Sequence, residues 1–315
     1  MRRELRQAIE HAYDTFPEMK WRGRNATVCN CCVSELNARD LAKTPRRELD
    51  ADLIGEYLGS AHHVDEGSAA QEVRHFLPRI FELVAEGEET SLSGNECALI
   101  RLGKGSLGWG SETYRDVWSR REIEAVDRFL REYWLDVLAE TPSVFDRPET
   151  GEILFDEHRA EDALCMVAKA GGDLAPLLAL WDEDMSFAAA LHVASLVSNA
   201  TARSWRPESL LAEGALGNPH WEDQPEAVKL IIDWLCQPRQ CKRLLDAFME
   251  APQNSQESVA LAEAQAQGFV FSDTDWRSTN LQSSRTWSSY GFQPTFNRLV
   301  RRLDTRIAWA NGEHW

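Results

Sequence analysis

The stretch Cys29-Asn-Cys-Cys32 places three thiols within four residues. Cys29 and Cys32 have the C-x-x-C spacing that lets two thiolates reach one zinc ion. A tetrahedral centre takes four ligands. Cys31 and one of His62 or His63, about 30 residues downstream, are the sequence's candidates for the other two. No second C-x-x-C and no H-x-x-x-H completes the pattern. A redox pair is a further use of this spacing, but it belongs with a βαβ context that the chain's pattern lacks. The competing structural reading is loop thiols packed against a core, where cysteine behaves as a small hydrophobe. The other cysteines are Cys97, Cys165, Cys236 and Cys241, which makes seven in all. An odd count in a chain whose start lacks a signal-like apolar run argues against a disulfide framework.

Other chemistry-bearing patterns are weaker. Gly103-Lys-Gly-Ser-Leu-Gly108 matches the bare G-x-G-x-x-G form. That form holds pyrophosphate only between a strand and a helix of a parallel sheet, so a surface loop is the expected reading. His75 and His192 sit in apolar helical stretches and read as hydrogen-bonded interior histidines. No H-E-x-x-H or G-x-S-x-G is present. No catalytic residues are therefore assigned.

The second half carries tryptophans beside acids at three expected turns: Trp181-Asp-Glu-Asp184, Trp221-Glu-Asp223 and Asp273-Thr-Asp-Trp276. In stacked helical hairpins, alternate turns fall along one rim. The expected partner-binding set is thus Trp181, Asp182, Glu183, Asp184, Trp221, Glu222, Asp223, Asp273, Asp275 and Trp276. Aromatic anchors in a negative field suit a basic protein. The alternative is that acids favour the first turn of a helix and tryptophan closes a core.

Charge has two readings: attraction of a basic partner, or simple maintenance of solubility. The chain has 315 residues and a net charge of −17. Residues 1–47 carry ten Lys/Arg against six Asp/Glu, and the remainder 24 against 45. Such a field repels nucleic acid and anionic membranes and attracts cations. No apolar run approaches the roughly 18 residues of a membrane span, and the cytoplasm is the expected compartment.

These residues need helices to position them. Apolar residues recur at spacings of three and four in 4–16, 68–86, 119–138 and in most of 156–267. Ser68 with Gln71, and Ser119 with Glu122, have the form of capping boxes. Pro78 stands inside the second of these stripes, between Leu77 and Ile80, and should bend it. Asp50 or Asp52 is expected to cap a helix through Leu58. Residues 17–47 read as a loop, 87–111 as a long loop or a broken helix, 268–294 as an aromatic loop, and 295–310 as a last helix. Only 97–102 and 268–272 have strand character. The expected fold is mostly α: an irregular antiparallel helical array, with a HEAT-like α-solenoid as the alternative, since no clean internal repeat stands out in the sequence. Two prolines and a glycine mark 141–151 as a linker between regions 1–140 and 152–315.

The Cys29–Cys32 cluster, Pro45-Arg-Arg-Glu-Leu-Asp-Ala-Asp-Leu53, Tyr57, Arg74-His-Phe-Leu-Pro-Arg-Ile-Phe-Glu-Leu83 and Trp118 to Glu122 together resemble a family of bacterial helical proteins without an assigned activity. The resemblance covers roughly residues 15–135 and rests most on His75-Phe-Leu-Pro-Arg79. It implies an all-helical cytoplasmic protein and assigns no catalytic residue. Helical proteins of this kind occur as immunity partners of toxins. The leading expectation is a non-enzymatic acidic protein that neutralises a basic toxin by covering its active site. The alternative is a zinc- or thiol-dependent enzyme or sensor built on Cys29, Cys31, Cys32 and His62 or His63.

Overall fold

The computed structural model describes residues 1–60, 66–91, 94–103, 112–147, 152–202, 216–235, 237–252 and 255–272. These are mostly α-helical, and the chain divides into two compact units. Unit 1 comprises Met1–Val137 and Asp162–Leu177; unit 2 comprises Leu138–Glu161 and Leu178–Trp315.

In unit 1, α1 (Arg3–Thr15) buries Leu5, Ala8, Ile9, Ala12 and Tyr13, a stripe at helical spacing. It packs on α4 (Glu66–Glu86). Between them in sequence, within the segment expected as a loop, lies α2 (Glu35–Lys43). Ser34 starts it by accepting from the Asn37 N–H, and only Ala38 and Leu41 are buried, a stripe too short to stand out. Asp50 caps α3 (Ala51–Gly59) through the Leu53 N–H. In α4 the helix begins at Glu66, so Ser68 stands inside it rather than at its cap. Val73, Phe76, Leu77, Ile80, Phe81 and Val84 are all buried, and the helix runs through Pro78.

Thr113 and Asp116 form a reciprocal capping box on the short α5 (Tyr114–Val117). Ser119 and Glu122 do the same for α6 (Arg120–Ala139), each bonding the other's backbone N–H. The core of unit 1 closes where Phe81 stacks on Phe129, ring centroids 3.8 Å apart and nearly parallel. Residues 97–102, expected as a strand, instead run from the end of one 3-10 turn (Asn95–Cys97) into a second (Ile100–Leu102).

Unit 2 also departs from the expected secondary structure. The expected linker forms part of an antiparallel hairpin, β1 (Val144–Arg147) with β2 (Glu152–Phe155), paired Val144 with Phe155 and Arg147 with Glu152. Ile153 and Phe155 are buried on one face, the alternation of a half-buried strand. The later helices follow at the expected places: α7 (Arg159–Lys169) and the start of α8 (Ala175–Glu183), which from Asp162 to Leu177 belong to unit 1, then in unit 2 the rest of α8, α9 (Phe187–Ala202), α10 (Pro225–Leu235), α11 (Pro238–Glu250) and α12 (Gln256–Ser272). Residues 268–272, expected as a strand, are the end of α12. α9 is apolar nearly all round and buries Ala189, Ala190, Leu191, Val193, Ala194, Leu196 and Val197. α11 and α12 pack on it and on each other, and α12 also covers the hairpin. The expected helices at 206–213 and 295–310 lie outside the described residues, as does the aromatic loop after residue 272.

Candidate functional site

The three thiols converge. Cys32 and Val33 both donate their N–H to the Cys29 carbonyl at 2.9 Å, a turn that folds the chain back over four residues. The Cys29, Cys31 and Cys32 Sγ atoms all lie within 4.8 Å of one another, and the Cys31 and Cys32 sulfurs are 3.7 Å apart. Cys29 is buried; Cys31 and Cys32 are exposed. None is in a disulfide.

Residues far away in sequence hold this turn. The Cys29 N–H donates to Ser60 Oγ at 2.7 Å, and Ser60 is itself buried. The Leu58 and Ser60 carbonyls, in turn, accept from the Arg101 guanidinium. Two residues before Cys29, the Thr27 N–H and hydroxyl both donate to the Glu72 carboxylate. Ala26 donates its N–H to the Ala38 carbonyl of α2 at 3.0 Å. Further upstream, Met19 N–H donates to His75 Nδ1 at 3.1 Å, and the Trp21 ring meets the His75 ring edge-on. The cysteine turn is therefore tied to α2, to the end of α3 and to α4.

The local electrostatics separate the thiols. Cys31 donates to the Cys29 sulfur from its thiol and its backbone, and Cys32 adds weaker donation; together they lower the Cys29 pKa to about 7 against the opposing effect of burial. The same contact raises Cys31 to about 11. Burial also shapes the anchors. It raises the Glu72 pKa against the lowering effect of the Thr27 bonds, and it drops His75 to about 4.

His62 and His63, the expected further ligands, lie outside the described residues. Among the described residues, the cysteine trio is the one group of three or more His, Cys, Asp or Glu close enough to share a metal ion. Sequence reasoning missed Ser60, Thr27 and Glu72. Glu72 left one trace, a carboxylate beside Val73 on the inner side of an apolar stripe.

The Trp-acid turns turn out differently from the expected rim. Trp181 is fully buried, donates from Nε1 to the Ala189 carbonyl at 3.0 Å, and packs its ring 4.7 Å from that of Trp234. Trp221 is buried and donates to Glu161 Oε1 at 3.0 Å. Neither indole is available as an exposed anchor, and the expectation is corrected at both. The cause is the apolar area of an indole, whose burial outweighs the single N–H when a partner is at hand.

Asp182 is also a structural group. It accepts from Trp234 Nε1 at 3.0 Å and Gln240 Nε2 at 2.8 Å, and pairs with Arg239. Asp184 accepts from the Ser186 N–H at the start of α9. Glu183, Glu222 and Asp223 are exposed. Asp273, Asp275 and Trp276 lie outside the described residues.

His192 is a buried, hydrogen-bonded residue at 2.9 Å from the Glu140 carbonyl. Gly103, the first glycine of the G-x-G-x-x-G pattern, has a packing reason: a Cβ there would collide with the Lys169 carbonyl oxygen. The rest of that pattern lies outside the described residues. No helix among the described residues is long and apolar enough to cross a membrane. Comparison with protein-family models, with curated proteins and with solved structures finds no match.

Proposed function

We propose that the chain is a non-enzymatic interaction protein whose acidic second unit binds a basic protein partner. The observation that carries this reading is the pairing of exposed apolar side chains with acids in that unit. Phe145 precedes exposed Asp146, Met185 follows Glu183 and Asp184, Leu230 stands between Glu226 and Asp233, and Met249 precedes exposed Glu250. With Trp181 and Trp221 inside, these four take the role first given to the tryptophans.

Methionine adapts its unbranched side chain to irregular apolar surfaces, and flanking carboxylates select a cationic one. The strongly negative balance after residue 47 speeds encounter with such a partner by long-range attraction. The partner class is a basic protein with an apolar patch among its cations. A cationic toxin held with its active cleft covered belongs to that class and fits the immunity-protein resemblance. In that role the chain does no chemistry of its own, and binding alone produces the effect.

The test uses a cationic amphipathic helical peptide and a copy with glutamates in place of its lysines. Binding of the cationic peptide is expected to weaken about tenfold for each step of roughly 1.4 kcal/mol removed. It should fall with added salt, and it should fall in Met185→Glu, Leu230→Glu and Met249→Glu variants. Equal binding of both peptides, or binding indifferent to salt and to all three substitutions, overturns the reading.

A further inference from the structure

The acidic surface leaves the cysteine turn unexplained, and the turn has the attributes of a built site. Three sulfurs converge, they come from one short turn, and the turn is pinned by buried groups just past the end of α3 and on α4. A structural loop thiol needs none of this.

We propose that Cys29, Cys31 and Cys32 form a three-thiolate site for a soft, thiophilic metal ion of the zinc or monovalent copper class. Donor type argues for softness. All three donors are sulfur, and thiolates select such ions over magnesium, calcium or manganese.

Distance argues for one shared ion. Zinc holds thiolate sulfur at about 2.3 Å, which places neighbouring sulfurs of a tetrahedral set about 3.8 Å apart. Cys31 and Cys32 already stand at 3.7 Å, and all three sulfurs fall within 4.8 Å. Closing the remaining gap takes side-chain rotation of an ångström or less, with no change in the backbone turn. Three protein ligands leave a position for water or another small ligand.

Burial supplies an order of events. Cys31 and Cys32 are exposed and capture the ion from solvent; buried Cys29 completes the set from within. Ser60 is a positioning residue. Its hydroxyl holds the Cys29 backbone N–H and so fixes where the inner sulfur stands. Groups that orient a ligand in this way typically contribute a factor of about 10–100 to metal affinity.

The full-length protein, reduced and kept free of oxygen, is titrated with Cd²⁺ as the spectroscopic probe. It is then titrated with Zn²⁺ and Cu⁺, each in competition with a chromogenic chelator. The expected result is a thiolate-to-metal charge-transfer band that saturates at one equivalent. Cys31→Ser and Cys32→Ser lie at exposed positions and leave the fold intact by circular dichroism. Each should remove about a third of the band, as expected for three equal donors. Ser60→Ala should keep the full band while lowering affinity about 10–100-fold. Tight competition by either Zn²⁺ or Cu⁺ supports the site and identifies the ion. Two results overturn it: no thiolate band at stoichiometric Cd²⁺, or a band that survives in Cys29→Ser/Cys31→Ser/Cys32→Ser and so arises from the other cysteines.

Discussion

Glu72 on α4 accepts from both the N–H and the hydroxyl of Thr27, at 2.9 Å and 2.7 Å, across 45 residues of chain. The carboxylate is almost fully buried. Two donors from one residue satisfy a buried acid that would otherwise be costly, and they fix the entry to the cysteine turn. Replacing Glu72 by Ala leaves the Thr27 donors without that acceptor and should destabilise unit 1 by about 2–3 kcal/mol, and Thr27→Val by about 1–2 kcal/mol. A double-mutant cycle in urea should give a coupling of roughly 1 kcal/mol or more. Additive losses would show that the two residues act separately.

His75 makes stability depend on pH. Burial holds its pKa at about 4 in the folded chain, with the nearby Arg46 charge adding to the effect, against an ordinary value of 6.5. The unfolded chain therefore takes up a proton first as the pH falls. The stability from this residue is complete above pH 6.5 and is lost between there and about pH 4, amounting to roughly 3 kcal/mol over the whole window. The groups facing the imidazole are the Met19 N–H and the Trp21 and Phe76 rings.

Glu72 acts in the opposite direction. Its pKa is raised by burial, so its protonation on acidification favours the folded state. Denaturation midpoints of the wild type and His75→Gln should converge or cross as pH falls from 7.5 to 5, since the variant lacks the titration. Parallel curves over that range would remove His75 from the account.

Gly103 is held against the Lys169 carbonyl with no room for a side chain. Gly103→Ala should lower stability by about 1–3 kcal/mol through displaced backbone, visible as a lower melting temperature. An unchanged melting curve would mean that the approach relaxes freely.

The two Trp-acid turns of unit 2 predict a sharp contrast between neighbouring acids. Asp182→Ala strands the Trp234 and Gln240 donors and should cost about 2–3 kcal/mol. Glu161→Ala removes the acceptor for Trp221 Nε1, the Asn218 N–H and the Asn199 amide, with a comparable loss. Exposed Glu222→Ala should stay within about 0.5 kcal/mol of wild type. Equal losses at Asp182 and Glu222 would contradict the burial assigned to them.

The helical elements were legible because their signals are local. Stripes at spacings of three and four placed α1, α4 and α6 through α12 within a few residues, and the Ser119–Glu122 box marked the start of α6. Local signals also misled. Ser68 has the form of a cap, yet α4 starts two residues earlier, and α2 hid in an expected loop because it buries only two side chains. The prolines of 141–151 read as a linker, while the alternation of Val144 to Phe155 became a hairpin once α12 was there to cover it.

The sequence by itself determined that the protein is mostly helical, where its acid excess lies, and that three thiols sit within one turn of chain. Those properties follow from backbone periodicity, charge count and covalent spacing. Only the tertiary structure decided that Trp181 and Trp221 face inward, that Asp182 and Glu161 are spent on buried donors, and that Ser60, Thr27 and Glu72 hold the cysteine turn in place. Most of these depend on a partner tens of residues away, such as 31 for Cys29 and Ser60 and 60 for Trp221 and Glu161. Such pairings are set by which surfaces meet when apolar area is buried, and no local spacing encodes them.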